Sequence, residues 1–242
     1  LSVREDLSSQ IRRFQYTLRY HANMHPWLYM PVARRLHADY ENRFIEDDTE
    51  LVIEGFGRSG STFMVLAFES VQRRPVKTAH HTHAAAQVIV AARRRLPTLL
   101  IVRPPLDAAL AHMDRRRIPP RPALAAWIRY HSRIAPYLDR ILPVELSQVS
   151  TDVGAVIRAM NEHFGTDYEV FEHTPENEAT LFEQIERDNV RKYGGSTYWV
   201  AKPTPERAAR KAALRSELEA PDLADLRERA EALHRRFFPV RA

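Results

Sequence analysis

One stretch constrains this chain more than any other: Leu51-Val52-Ile53-Glu54-Gly55-Phe56-Gly57-Arg58-Ser59-Gly60-Ser61-Thr62-Phe63. Leu51 to Ile53 has the look of a short buried strand, and Thr62 to Gln72 follows with helical periodicity. Between them, Gly55 and Gly60 carry the spacing of the phosphate-binding loop pattern GxxxxGK[ST]. Glycine lets a backbone take positive φ and approach an anion closely. Loop amides and a helix N-terminus then make a phosphate cradle, to which the hydroxyls of Ser61 and Thr62 can add. The departure from the pattern is as informative. Its lysine is Ser61 here, and a cation stands three residues earlier at Arg58. The next strong strand, Thr98 to Val102, ends in Arg103, where a phosphate-loop hydrolase often carries a magnesium-binding Asp. An anion held here would be neutralised by Arg58 and Arg103, and no metal is expected. A Gly- and Ser-rich turn can look like this by itself; the strand, the helix and the displaced cation together favour a phosphate site.

Short apolar strands alternate with helices along the rest of the chain. Strands are expected at Val76 to Thr78, Thr98 to Val102 and Ile141 to Leu146. Helices are expected over residues 4 to 22, Ala84 to Arg95, Leu106 to Met113, Ala123 to Arg140, Val149 to Phe164, Glu176 to Arg191, Pro205 to Glu217 and Pro221 to Phe238. Pro26 and Pro31 are expected to break the segment after the first helix. The fold class this implies is α/β: a small parallel sheet of the phosphate-loop type, flanked by helices, helix-rich, in a single domain over residues 1 to 242. Within it we expect an N-terminal helical extension over about 1 to 48, a core over about 50 to 215 and C-terminal helices over about 205 to 238. Strand order cannot be read from periodicity.

Composition removes several alternatives. With no Cys there are no disulfides, thiolate metal sites or cysteine nucleophiles. No apolar run approaches a membrane span, and Leu1 to Asp6 has no apolar signal core, so a cytoplasmic chain is expected. The net charge is +5, and only four of the 36 basic residues are lysines. Guanidinium forks suit planar recognition of phosphate or sulfate. The charge alone does not choose between nucleotide, nucleic acid and membrane surface.

Between the two cationic motifs lies Lys77-Thr78-Ala79-His80-His81-Thr82-His83, placed at the carboxyl end of a short strand. Functional groups of open α/β sheets gather on that edge. Three histidines could bind a metal, form a polar loop or move protons. Adjacent strand residues point to opposite faces and no carboxylate stands in the segment, which disfavours the metal. Imidazole suits proton transfer near neutrality.

The segment Gly57-Arg58-Ser59-Gly60-Ser61-Thr62-Phe63 resembles the 5′-phosphosulfate loop of the sulfotransferases, Pro-Lys/Arg-Ser-Gly-Thr-Thr-Trp. Leu99-Leu100-Ile101-Val102-Arg103-Pro104-Pro105-Leu106-Asp107 resembles their second motif, an apolar strand running into Arg-Asn/Asp-Pro-x-Asp. The resemblance implies a phosphate-loop fold and transfer of a sulfuryl group from 3′-phosphoadenosine 5′-phosphosulfate (PAPS), giving adenosine 3′,5′-bisphosphate (PAP), without a metal. It implies that Gly57, Arg58, Ser59, Gly60, Ser61 and Thr62 hold the phosphosulfate and that Arg103 holds the 3′-phosphate. It places the general base about 22 residues before that arginine, which fits His81 best, with His83 and His80 in reserve. The family serine eight residues after the arginine is Ala111 here; His112 or one of Arg115, Arg116 and Arg117 would have to stand in. In the basic segment 191 to 211 the resemblance points to Lys202 and Arg207 as the family's loop over the 3′-phosphate and adenine; a solvated helix face accounts for Arg207 equally well. Glu145 to Val149 and the helix ending at Gly165 match a structural strand-loop-helix of the family.

The expected acceptor is a hydroxyl of a small molecule or glycoconjugate, with no nucleic acid among the partners and the oligomeric state left open. Tyr20, Trp27, Tyr29 and Trp127 could line an apolar pocket or belong to the core. A magnesium-dependent phosphate-loop kinase and a basic nucleic-acid-binding protein are the rival readings.

Overall fold

The structure, a computed structural model, describes residues 21–36, 43–193 and 205–239. The expected helix over 4 to 22 lies almost wholly outside them. Four parallel strands form the sheet: β1 (Leu51–Gly55), β2 (Thr78–His80), β3 (Thr98–Val102) and β4 (Leu142–Glu145), in the order β2-β1-β3-β4. Leu51 pairs with Thr78, Val52 with Thr98 and Leu99 with Leu142. Every residue of β1 and β3 is buried, as strands covered on both faces must be.

Alternation along the strands sorts the core into two layers. Leu51 and Ile53 of β1 and Leu99 and Ile101 of β3 pack against α2 (Ser61–Val71), α7 (Val153–Phe164) and Leu181 of α8 (Pro175–Tyr193). Leu100 and Val102 point the other way, to α3 (Ala85–Arg94), α4 (Pro105–Arg116), α5 (Pro120–Ile134) and α10 (Ala224–Phe237). Full burial of one such aliphatic side chain contributes about 1.5–3 kcal/mol. Helices α1 (Pro26–Leu36), α6 (Leu146–Thr151) and α9 (Pro205–Leu218) complete the set. The α/β, helix-rich, single-domain architecture is as expected.

Several boundaries differ. Pro31 sits inside α1 instead of breaking it. The carbonyl left without its N–H is that of Trp27, on the exposed side of the helix. β2 lies two residues beyond the expected Val76 to Thr78, because pairing with β1 begins at Thr78. The expected helix from Ala123 to Arg140 tightens into a 3₁₀ turn at Ala135–Arg140, which Pro136 opens. The expected helix from Val149 to Phe164 breaks at Asp152, whose carboxylate caps α7 by accepting from the Ala155 N–H.

Candidate active site

The sheet order reverses between β1 and β3. β1 connects outward to β2, and the chain then crosses β1 to place β3 on its other side. In open α/β sheets the crevice beyond the strand ends at such a point is the usual ligand site. The Gly-rich loop leaves β1 there, and Arg103 follows β3 there.

The loop's compactness depends on two glycines. A Cβ on Gly55 would lie 2.1 Å from Ser59 Oγ and 2.6 Å from the Ile101 carbonyl oxygen. The chain folds back on itself at that spot. Gly60, with φ 84°, is the N-cap of α2, and Leu146 packs over it. Arg58 is also left-handed, with φ 71°. Left-handed residues alternating with right-handed ones turn successive amides toward one concave face. No side chain caps α2, so its first-turn amides face the same loop. Ser59 Oγ is buried and, among the described residues, has no hydrogen-bond partner. An oxyanion would satisfy that hydroxyl together with the amides, so the residues present fit a phosphate or sulfate group.

Arg103 is half-buried, and its Nη1 donates to the Arg58 carbonyl at 3.1 Å. Burial lowers its pKa, so a nearby anion would be welcome to it. Its own carbonyl accepts from Trp127 Nε1 at 3.1 Å. Trp127 is fully buried, stacked on His131, and belongs to the core. Of the two readings of Trp127, pocket wall or core, the core one holds, and its indole N–H is satisfied by the residue that follows β3. Trp27 is 76% exposed, Tyr29 packs beside Met30 and Ala33, and Tyr20 lies outside the described residues.

The three histidines follow β2 directly. His81 and His83 are left-handed, with φ 62° and 51°. His81 Nε2 lies 2.9 Å from Thr62 Oγ1, so the histidine segment touches the first turn of α2. Its Nδ1 faces His80 Nδ1 in a short hydrogen bond. Burial pushes His80 down to about 4, with a smaller contribution from Arg43, so this ring is neutral near pH 7. His83 Nδ1 lies 2.9 Å from the Gly55 carbonyl. A carbonyl only accepts, so Nδ1 carries the hydrogen and Nε2 of the neutral ring is the basic nitrogen. Among the described residues no three His, Asp or Glu side chains converge as a metal's ligands.

Of the stand-ins for the serine replaced by Ala111, His112 is already engaged. It is buried, stacked on Phe56 at 4.4 Å, and its Nε2 donates to the Gly57 carbonyl at 2.8 Å. It props the loop from behind instead of facing a ligand. Arg115 is half-buried, and Arg116 and Arg117 are exposed at the end of α4. Lys202 lies outside the described residues. Arg207 lies in α9, its side chain outside them; Arg210 of that helix ties it to Asp114 of α4 at 2.8 Å.

Sequence reasoning passed over Glu54. Its carboxylate is fully buried on β1. Oε1 accepts from Thr82 N–H at 2.8 Å, Thr82 Oγ1 at 2.6 Å and Gln87 Nε2 at 3.1 Å. Oε2 accepts from His83 N–H at 3.1 Å and Gly55 N–H at 3.3 Å. Burial pushes the carboxyl up to about 7, against the pull of the Thr82, His83 and Gly55 donors. The available signal was a carboxylate inside an otherwise apolar strand.

Two surface clefts, of about 420 and 350 Å³, lie elsewhere, along the outer side of α5. They are lined by Pro119 to Pro122, Arg129 and their neighbours, with no residue of the loop or the histidine segment. The strand-end geometry, not cleft size, marks the candidate site.

No protein-family model and no curated protein matches the chain. Solved structures similar to it include mouse sulfotransferase SULT7A1 complexed with PAP, at 13% identity and a TM-score of 0.39. The similarity covers 78% of this chain and 91% of that one. A likeness at this level leaves family and activity to be argued from the chain's own residues. No helix of the described residues is long and apolar enough to cross a membrane.

Proposed function

We propose that the chain is a PAPS-dependent sulfotransferase acting on a hydroxyl of a small molecule or glycoconjugate. One observation carries the reading: a cationic oxyanion cradle and a histidine are joined, through Thr62 Oγ1 and His81 Nε2 at 2.9 Å, at the switch point of the sheet. When bound, PAPS supplies an activated sulfuryl group, whose bond to the 5′-phosphate breaks as the acceptor oxygen bonds to sulfur.

The chain's part is to hold charge and move one proton. Arg58, Ser59 and the amides of Gly60, Ser61 and Thr62 hold the phosphosulfate oxygens and stabilise the charge that gathers on the leaving phosphate. The Gly57 carbonyl is held by His112 Nε2 at the start of the loop. Arg103 takes the 3′-phosphate, with Lys202 and Arg207 covering the same end of the donor. His81 takes the acceptor's hydroxyl proton, and His83 stands beside it with its basic nitrogen defined by the Gly55 carbonyl. The cationic groups supply the neutralisation that a magnesium site would supply in a kinase.

Calorimetry with PAP and with ATP, both in EDTA, tests the donor class. Micromolar PAP binding with weak ATP binding supports the proposal. ATP binding restored by Mg²⁺, with none to PAP, would replace it with a kinase. Steeply salt-dependent binding of random DNA, with neither nucleotide bound, would replace it with a nucleic-acid-binding protein.

A further inference from the structure

The central strand of a parallel sheet calls for apolar residues on both faces, and β1 obeys everywhere in its first four residues except Glu54. Nothing in the binding and proton transfer above uses this carboxylate. Its surroundings are specific. Five donors converge on its two oxygens, from Gly55, Thr82, His83 and Gln87. A carboxylate accepts at both oxygens and donates nothing, so the five donors suit the ionised form, against the burial that raises its pKa to about 7.

Three of the five belong to Thr82 and His83. Thr82 stands between two residues whose backbones are left-handed, a region disfavoured for side-chain-bearing residues. Such conformations persist only where the surroundings over-determine them, and they cluster at functional sites. Gln87 of α3 braces the carboxylate from the far side while also donating to the Arg43 carbonyl at 2.9 Å.

We propose that Glu54 is the positioning residue of the histidine segment. Its buried carboxylate holds residues 81 to 83 in the left-handed path that turns His81 to Thr62 and His83 to the Gly55 carbonyl. The catalytic consequence rests on the sulfotransferase reading; the conformational one does not.

Glu54→Gln keeps the shape of the side chain but places an NH₂ among donors. The test is ring-nitrogen NMR of the histidines in the full chain, which reports which nitrogen carries hydrogen. Wild type should show His83 as the Nδ1–H tautomer, and Glu54→Gln should show a mixture. Sulfuryl-transfer turnover should fall about 10²-fold, the cost of a base displaced by about an ångström. PAP affinity should stay within about threefold, since the cradle lies on the other side of Gly55. An unchanged tautomer in folded Glu54→Gln overturns the proposal. If that variant does not fold, Thr82→Val, which removes the Oγ1 donor to Glu54 together with the acceptor of the Ala84 N–H, must shift the same resonances; unshifted rings overturn it equally. A wild type that transfers no sulfuryl group would end the functional reading, and the tautomer measurement would still decide this one.

Discussion

Two groups of histidines share this molecule in opposite surroundings. His80, His81 and His83 lie at the carboxyl edge of the sheet, and two of them are left-handed. His112 and His131 lie deep among α4 and α5, against Phe56, Trp127 and Phe237. Burial pushes both core rings down to about 3, which keeps them neutral and able to pack against other rings. Residue type is therefore no guide to role. On the proposed function, what separates the groups is whether the ring meets the Gly-rich loop from the side a substrate would reach.

The sharpest way to break this division is to remove one ring from each group. His81→Ala is expected to lower turnover about 10²–10⁴-fold, the usual contribution of a general base. Its PAP affinity by calorimetry should hardly change, because Arg58, Arg103 and the loop amides remain. His131→Phe should leave turnover intact. An equal loss from both would mean that the edge histidines have no special role. If His81→Ala is active and His83→Ala is not, the base is the neighbour and the division stands.

The core group should show itself in acid. A histidine with an ordinary pKa of 6.5, held near 3 in the fold, binds fewer protons folded than unfolded across that window. Its contribution to stability is fully present above about pH 6.5 and is lost as pH falls toward 3. Glu54 has the reverse sign. Raised from 4.5 to about 7, it favours the fold below 4.5 and loses that advantage as pH rises through 7. His112 and His131 together outweigh it below pH 6. The melting temperature should therefore decline from neutral pH toward pH 4. His131→Phe keeps the stack on Trp127 and removes the proton uptake, which is worth about 2 kcal/mol at pH 5. Thermal scans across pH should show a shallower decline for His131→Phe than for the wild type.

The legible parts of the fold were those written in several residues at once. Thr98 to Val102 is apolar throughout and reads as a buried strand. The loop from Gly57 to Thr62 reads as a cradle because its glycines, hydroxyls and displaced cation all argue the same way. Glu54 was illegible because one carboxylate in a short apolar run looks like the end of the strand; only the sheet shows that β1 continues through it to Gly55. The left-handed turns at His81 and His83 carry no local signal, since neither is a glycine. On the proposal above they are held by the tertiary hydrogen bonds that Thr82 and His83 make to Glu54, 28 and 29 positions away. His112 enters only as one alternative for the missing serine, because the packing that buries it leaves no local signal.

That residue also offers the finest test of the division, because it belongs to both halves. Its ring is core, yet its Nε2–H supports the Gly57 carbonyl at 2.8 Å. His112→Phe preserves the stack on Phe56 and removes that one hydrogen bond. A net loss of about 1 kcal/mol in holding the loop would weaken PAP binding by roughly fivefold. Turnover at saturating donor should stay at the wild-type value, since no proton passes through this ring. Calorimetry and saturation kinetics on the same preparation separate the two effects. A change in affinity alone keeps His112 with the core as a prop of the cradle. A collapse of turnover at saturation would move it to the catalytic edge, and burial would no longer divide structural histidines from working ones.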